Sequence, residues 1–165
     1  MLFRSPSSEF VKINFGGTVF AKDNKSGVGM VIRNDGGLVI ASCAKKLLAA
    51  YSGGEIETMA TAIALSFASE IGIKRAIQEG DSLAMIKALR EDVSSLSPTG
   101  LLVEDVKALS HNFDKLLYSH TKREGNQVVH SLVRYAIDIP YFLVWMEHVP
   151  PQIHSVLQAD LIHLH

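Results

Sequence analysis

Residues 119–136 read SHTKREGNQVVHSLVRYA. Asn126 and His130 are four apart, so a helix stacks them on one face, and Val129, Leu132, Val133 and Ala136 supply an adjoining apolar stripe. A helix buried for packing alone has no need of His120, Arg123, Glu124, Asn126 and His130 set into that repeat. Polar groups therefore stand beside a core face, where an alternating strand (114–121) runs through a polar loop into a last helix (127–137).

Working back toward the amino terminus, residues 10–20 alternate around Val11, Ile13 and Phe15, and 22–27 supply turn chemistry. Residues 28–33 alternate again, and Asn34-Asp35-Gly36-Gly37 turns the chain into a third apolar run, 38–44. These runs predict a three-stranded antiparallel meander. Gly27-Val28-Gly29 opens a strand instead of linking strand to helix, so it reads as hairpin chemistry and not as a nucleotide loop. From Glu55 the period becomes three-four through Ile56, Met59, Ala60, Ile63, Ala64, Phe67, Ala68 and Ile71, with Gly72 at the stop. A short buried strand follows over 73–79, then a helix over 82–90 with Asp81 beside its amino end. A serine-rich loop over 93–99 holds Pro98, and Leu101, Leu102, Asp105, Val106 and Leu109 mark a third helix. The order β-β-β-α-β-α-α-β-α predicts an α/β domain with a five-stranded mixed sheet and about four helices on its two faces. The expected boundaries are an extension over 1–9, one domain over 10–139 and a tail over 140–165.

At 165 residues and 47% hydrophobic content the chain suits one globular domain. A single cysteine, Cys43, excludes an internal disulfide, and its apolar setting reads as a buried small hydrophobe in a reducing compartment. The amino terminus lacks an apolar core of signal-peptide length, and the run 139–146 is far short of the roughly 20 residues that span a bilayer. A soluble intracellular monomer without membrane association is expected. Net charge −1 and pI near 6.6 give no general attraction to phosphate backbones. Any nucleic-acid binding must rest on local groups such as Lys122 with Arg123.

The run 119–136 resembles the last strand, loop and helix of the ribonuclease H family, in particular the plant ribonuclease H-like domains associated with reverse transcriptases. Lys12-Ile13-Asn14-Phe15-Gly16-Gly17-Thr18 is similar to that family's first strand, Glu57 with Met59, Ala60 and Ala62 to its first helix, and Glu79-Gly80-Asp81-Ser82 to the end of its fourth strand. The resemblance extends from about Phe10 to Trp145, Glu147, Pro150 and Pro151. It implies a ribonuclease H-like fold and hydrolysis of RNA/DNA hybrids with two Mg²⁺ ions, which need several converging carboxylates because Mg²⁺ takes hard oxygen ligands.

Carried over position by position, the second acid is Glu57, read in the first turn of its helix, and the third is Asp81. The first falls on Gly16, so Gly16-Gly17 stands where Asp-Gly is expected, and the fourth falls on His130. The implied ligands of Mg²⁺ or Mn²⁺ are Glu57 and Asp81. His120 matches a histidine beside the active-site loop that would shuttle a proton or help product leave. Gly17, Thr18, Ser82, Arg123 and Asn126 are the implied contacts to sugar and phosphate. Imidazole is a softer ligand than carboxylate, and losing the shared first acid removes several kcal/mol of stabilisation, roughly a thousandfold or more in rate. Asp23, in the following turn, is no obvious replacement, and neither is Glu79, on Asp81's side of its strand but two residues earlier. Weak hybrid binding with little or no hydrolysis is the expectation.

The same residues carry plainer readings that the sequence leaves open. Glu57 suits a helix start, Asp81 and Asn126 suit helix caps, His130 suits a hydrogen bond at the sheet edge, and His120 suits a surface strand end. Two other classes also stay open: a non-catalytic protein-interaction module using an exposed aromatic tail of Tyr141, Phe142 and Trp145, and a retroelement-derived remnant or polyprotein fragment.

Overall fold

A computed structural model describes residues 10–90 and 98–164. Strand β1 (Val11–Phe20) turns through Asn24, whose φ of 53° suits a residue that tolerates the left-handed region, into antiparallel β2 (Lys25–Arg33). Gly37 (φ 85°) closes the next turn, where the Asn34 carbonyl accepts from the Gly37 amide, and β3 (Val39–Leu47) completes the meander. Helix α1 (Gly53–Glu70) starts with a capping box in which Ser52 and Glu55 satisfy each other's backbone amides, and it ends at Gly72, φ 93°. Strand β4 (Arg75–Gly80) then lies parallel to β1.

Helices α2 (Leu83–Arg90) and α3 (Pro98–Ser110) lead to β5 (Lys115–His120), parallel to β4. The loop expected over 93–99 lies outside the described residues up to 97, while Pro98 and Thr99 already belong to α3, where proline's fixed φ suits a first turn. Helix α4 (Gln127–Tyr135) follows. The sheet holds six strands, not five, in the order β5-β4-β1-β2-β3-β6, because β6 (Phe142–Met146) adds antiparallel to β3. Helix α5 (His154–Leu164) follows, so the segment read as a tail carries a strand and a fifth helix. Trp145 there is only partly exposed and packs on Tyr135, with ring centroids 6.0 Å apart.

Alternation along the strands builds two cores. Val11, Ile13, Phe15, Met30 and Ile32 meet α1, α2 and α3 on one face. On the other, Val31 meets Val128, Val129, Leu132 and Val133 of α4, with Val149 and Ile153 beyond. Helix α4 sits unusually close to β2, since a Cβ on Gly29 would lie 2.8 Å from Leu132 Cβ and 3.0 Å from the Val133 nitrogen. Arg33, 6% exposed at the end of β2, pairs with Asp160 of α5 and ties that helix to the sheet. Because removing one partner strands a buried guanidinium, Asp160→Ala is expected to destabilise by about 3 kcal/mol. Urea denaturation checks this, and a loss below about 1 kcal/mol would show that the pair contributes little.

Candidate active site

Five elements deliver the implied residues to one end of the sheet around β1 and β4. Gly16 lies in β1, and a Cβ built there would sit 3.0 Å from Val129 Cγ1 and 3.7 Å from Asn126 Nδ2. Gly17, next along, would bring a Cβ within 2.8 Å of Ile56 Cγ1, so it lets α1 approach the strand closely. Asp81 follows the last residue of β4. His130, one turn into α4, places Nε2 2.8 Å from Asp81 Oδ2, with the two side chains 16% and 14% exposed. His120, exposed at the end of β5, has Nε2 3.3 Å from the Asp81 carbonyl oxygen.

Several plainer readings are corrected by these contacts. Asp81 does not cap α2, because its carboxylate is held by His130 and the Met85 amide donates to Ser82 Oγ at 3.3 Å. Asn126 stands at the N-cap of α4 without a capping bond. It is 2% exposed, and its Nδ2 donates to the Phe15 carbonyl at 3.2 Å, pinning the start of α4 to β1. Helix α1 starts at Gly53, so Glu57 lies in the second turn and the first-turn acid is Glu55. His130 does make a hydrogen bond beside the sheet, and its partner is Asp81 at the end of β4. Thr18 is partly buried on β1, and Arg123 is exposed.

Electrostatics link the group. The Glu57 carboxyl is pushed up to about 7, chiefly by burial and further by Asp81's charge, with Arg123 opposing both. Asp81 is held below its ordinary range chiefly by the His130 hydrogen bond, with burial working against it. Glu57 Oε2 and Asn126 Oδ1 are buried oxygens with no hydrogen-bond partner among the described residues.

A raised carboxyl stabilises the fold while protonated. The Glu57 contribution is complete below its ordinary value of 4.5 and is lost as pH rises through about 7, whereas the Asp81 contribution is lost as pH falls through its own lowered value. Glu57→Gln is therefore expected to match the parent near pH 4.5 and exceed it at pH 8 by about 2 kcal/mol. Melting curves across that range check the sign, and an equal gain at both ends would rule out ionisation as the cause.

Sequence reading missed one participant. Asn14, two residues before Gly16 on the same strand face and 5% exposed, donates to Glu79 Oε1 at 3.0 Å, and Lys12 Nζ stands 3.6 Å from Glu79 Oε2. An asparagine inside an apolar alternation was the available signal. Glu79 is thus tied to β1 through Asn14 and Lys12. Among the described residues, no three His, Cys, Asp or Glu side chains converge as a metal-holding group. No helix among them is long and apolar enough to cross a membrane.

Residues 14–136 match the profile of a family described as reverse transcriptase-like. A comparison with curated protein sequences gives no match. Among solved structures, RNase H1 from the halophilic archaeon Halobacterium salinarum is similar at 22% identity over 78% of this chain and 97% of its own, with a TM-score of 0.71. The N-terminal RNase H domain of a Mycobacterium tuberculosis protein matches at 21% identity, over 79% of this chain and 95% of its own, with a TM-score of 0.70. LC11-RNase H1, solved in complex with an RNA/DNA hybrid, matches at 20% identity, over 78% and 96%, with a TM-score of 0.66. These likenesses establish a ribonuclease H-like fold.

Proposed function

Since the chain belongs to the reverse transcriptase-like family, we propose that it is a ribonuclease H-type domain that binds RNA/DNA hybrids weakly and hydrolyses them little or not at all. The observation that carries this reading is the 2.8 Å contact of Asp81 with His130 beside a glycine at position 16. A structurally similar protein, LC11-RNase H1, holds such a hybrid, which supports the choice of ligand.

Hydrolysis of this type calls for divalent metal held by clustered hard oxygens. The residues present do not fit a two-ion centre. Gly16 offers no side chain, Asp81 commits Oδ2 to an imidazole, and Glu79 is engaged by Asn14 and Lys12. Glu57 Oε2 is left as a hard oxygen without a hydrogen-bond partner among the described residues, and one such carboxylate does not make a two-ion centre. What the chain's own groups can do is recognise. Arg123 offers a cation at the loop before α4, His120 and Ser82 flank the end of β4, and the backbone of Gly16 and Gly17 continues β1 just past its Asn14–Glu79 pairing with β4. With a net charge of −1, affinity must come from this local set and fall as salt rises, with a shallow slope set by its few cations.

Fluorescence anisotropy with a labelled hybrid at low salt, paired with a cleavage assay in Mg²⁺ and in Mn²⁺, tests the reading. Binding that weakens as salt rises, with intact substrate in both metals, is the expected result. Brisk cleavage would overturn the loss of activity, and absence of binding at low salt would overturn the ligand.

A further inference from the structure

Strand β6 ends the sheet, with β3 as its only strand partner among the described residues. Natural edge strands are usually protected by a charge, a proline or a bulge, yet Phe142, Leu143, Val144, Trp145 and Met146 contain none of these. Phe142, Leu143, Val144 and Met146 are 42%, 38%, 38% and 43% exposed. The ladder also shows which backbone groups are free. The Lys46 amide donates to the Tyr141 carbonyl, and the Glu147 amide donates to the Ile40 carbonyl. Odd-numbered residues of β6 therefore face β3, and the amides and carbonyls of Phe142, Val144 and Met146 point outward.

We propose that β6 is a homodimerisation edge that pairs antiparallel with β6 of a second copy about a two-fold axis at Val144. In that register Val144 faces its own counterpart, and the outward groups of Phe142 meet those of Met146 from the other copy. A Met sulfur against an aromatic ring is a favourable contact. On the opposite sheet face Leu143 meets Trp145. Each exposed apolar side chain thus gains an apolar partner, which is the self-complementarity that a two-fold contact demands.

Charge complementarity favours a second copy over an unrelated peptide. Lys46 lies beside Tyr141 at the start of β6, and Glu147 stands at its end. Antiparallel self-pairing sets the Glu147 of each copy opposite the Tyr141 of the other, with that copy's Lys46 one strand further in on β3 and within reach of a long side chain. The opposite edge, β5, carries Lys115 and His120 and has no such pattern. A single short strand pair buries little area, so affinity in the micromolar range is expected.

Sedimentation equilibrium of the full chain from about 1 µM to 1 mM tests the proposal, the monomer being 18.0 kDa. The mass should double with rising concentration, and Val144→Lys, which sets like charges directly opposite, should keep the protein monomeric with an unchanged circular dichroism spectrum. Should Val144→Lys fail to fold, Glu147→Lys should weaken association about tenfold and Lys46→Glu combined with it should restore most of the loss. A parent that stays monomeric to 1 mM overturns the proposal. So does a dimer unmoved by Val144→Lys or by the charge exchange.

Discussion

Gly16→Asp is expected to raise hybrid hydrolysis about a thousandfold over the parent and to make it depend on added Mg²⁺ or Mn²⁺. The position is ready for the change sterically. The new Cβ would stand 3.0 Å from Val129 Cγ1, a contact that a small shift of one methyl relieves, and no backbone atom obstructs it. The electrostatic effect is larger. A third acid joins Glu57 and Asp81, whose mutual repulsion already helps to hold Glu57 near 7, so without metal the variant should melt lower than the parent. A divalent cation that binds the folded state should raise that melting point by mass action, while the parent's should barely move. The two readouts are separate. Metal-dependent stabilisation without cleavage would leave the placement of the lost acid intact and point to His130 as the remaining obstacle. An absence of both would show that position 16 is not where the acid belongs.

Much of this arrangement could be read from the chain because local chemistry determines it. The three-four spacing of Ile56, Ala60, Ala64 and Phe67, stopped at Gly72, matches helix α1, since buried stripe and left-handed stop are both sequence-local. The three hairpin strands matched for the same reason. Strand β6 escaped notice because a five-residue apolar run without alternation looks alike as strand, tail or buried turn. Asn126 and Asp81 were legible as polar residues at helix starts, the common place for caps. Their actual bonds go to Phe15 and His130, which are 111 and 49 residues distant, and such partners are fixed by packing and not by spacing. Ser82, adjacent to Asp81, takes the cap that Asp81 leaves.

The largest stability effect is expected at Gly29, where Gly29→Val should cost more than about 5 kcal/mol and leave the protein largely unfolded at room temperature. Gly29 pairs with Gly16 across β1 and β2, and together they form the floor on which α4 rests. A Cβ at Gly29 would come within 2.8 Å of Leu132 Cβ, 3.0 Å of the Val133 nitrogen and 3.1 Å of the Val129 carbonyl oxygen. Two of those are helix backbone, which no rotamer change can move. The whole helix must lift, and Val128, Val129, Leu132 and Val133, each at most 2% exposed, lose their contacts with β2. At roughly 1.5–3 kcal/mol for each fully buried aliphatic side chain, even partial loss exceeds the effect of ordinary overpacking. Gly36, whose added Cβ would come no nearer than 3.4 Å to the Asn34 side chain, is the control, and Gly36→Ala should change stability by less than about 1 kcal/mol. Denaturation of the two variants side by side decides the matter. If Gly29→Val unfolds no more readily than Gly36→Ala, α4 has room to ride over β2, and the tight seating that holds His130 on Asp81 is not what fixes the site.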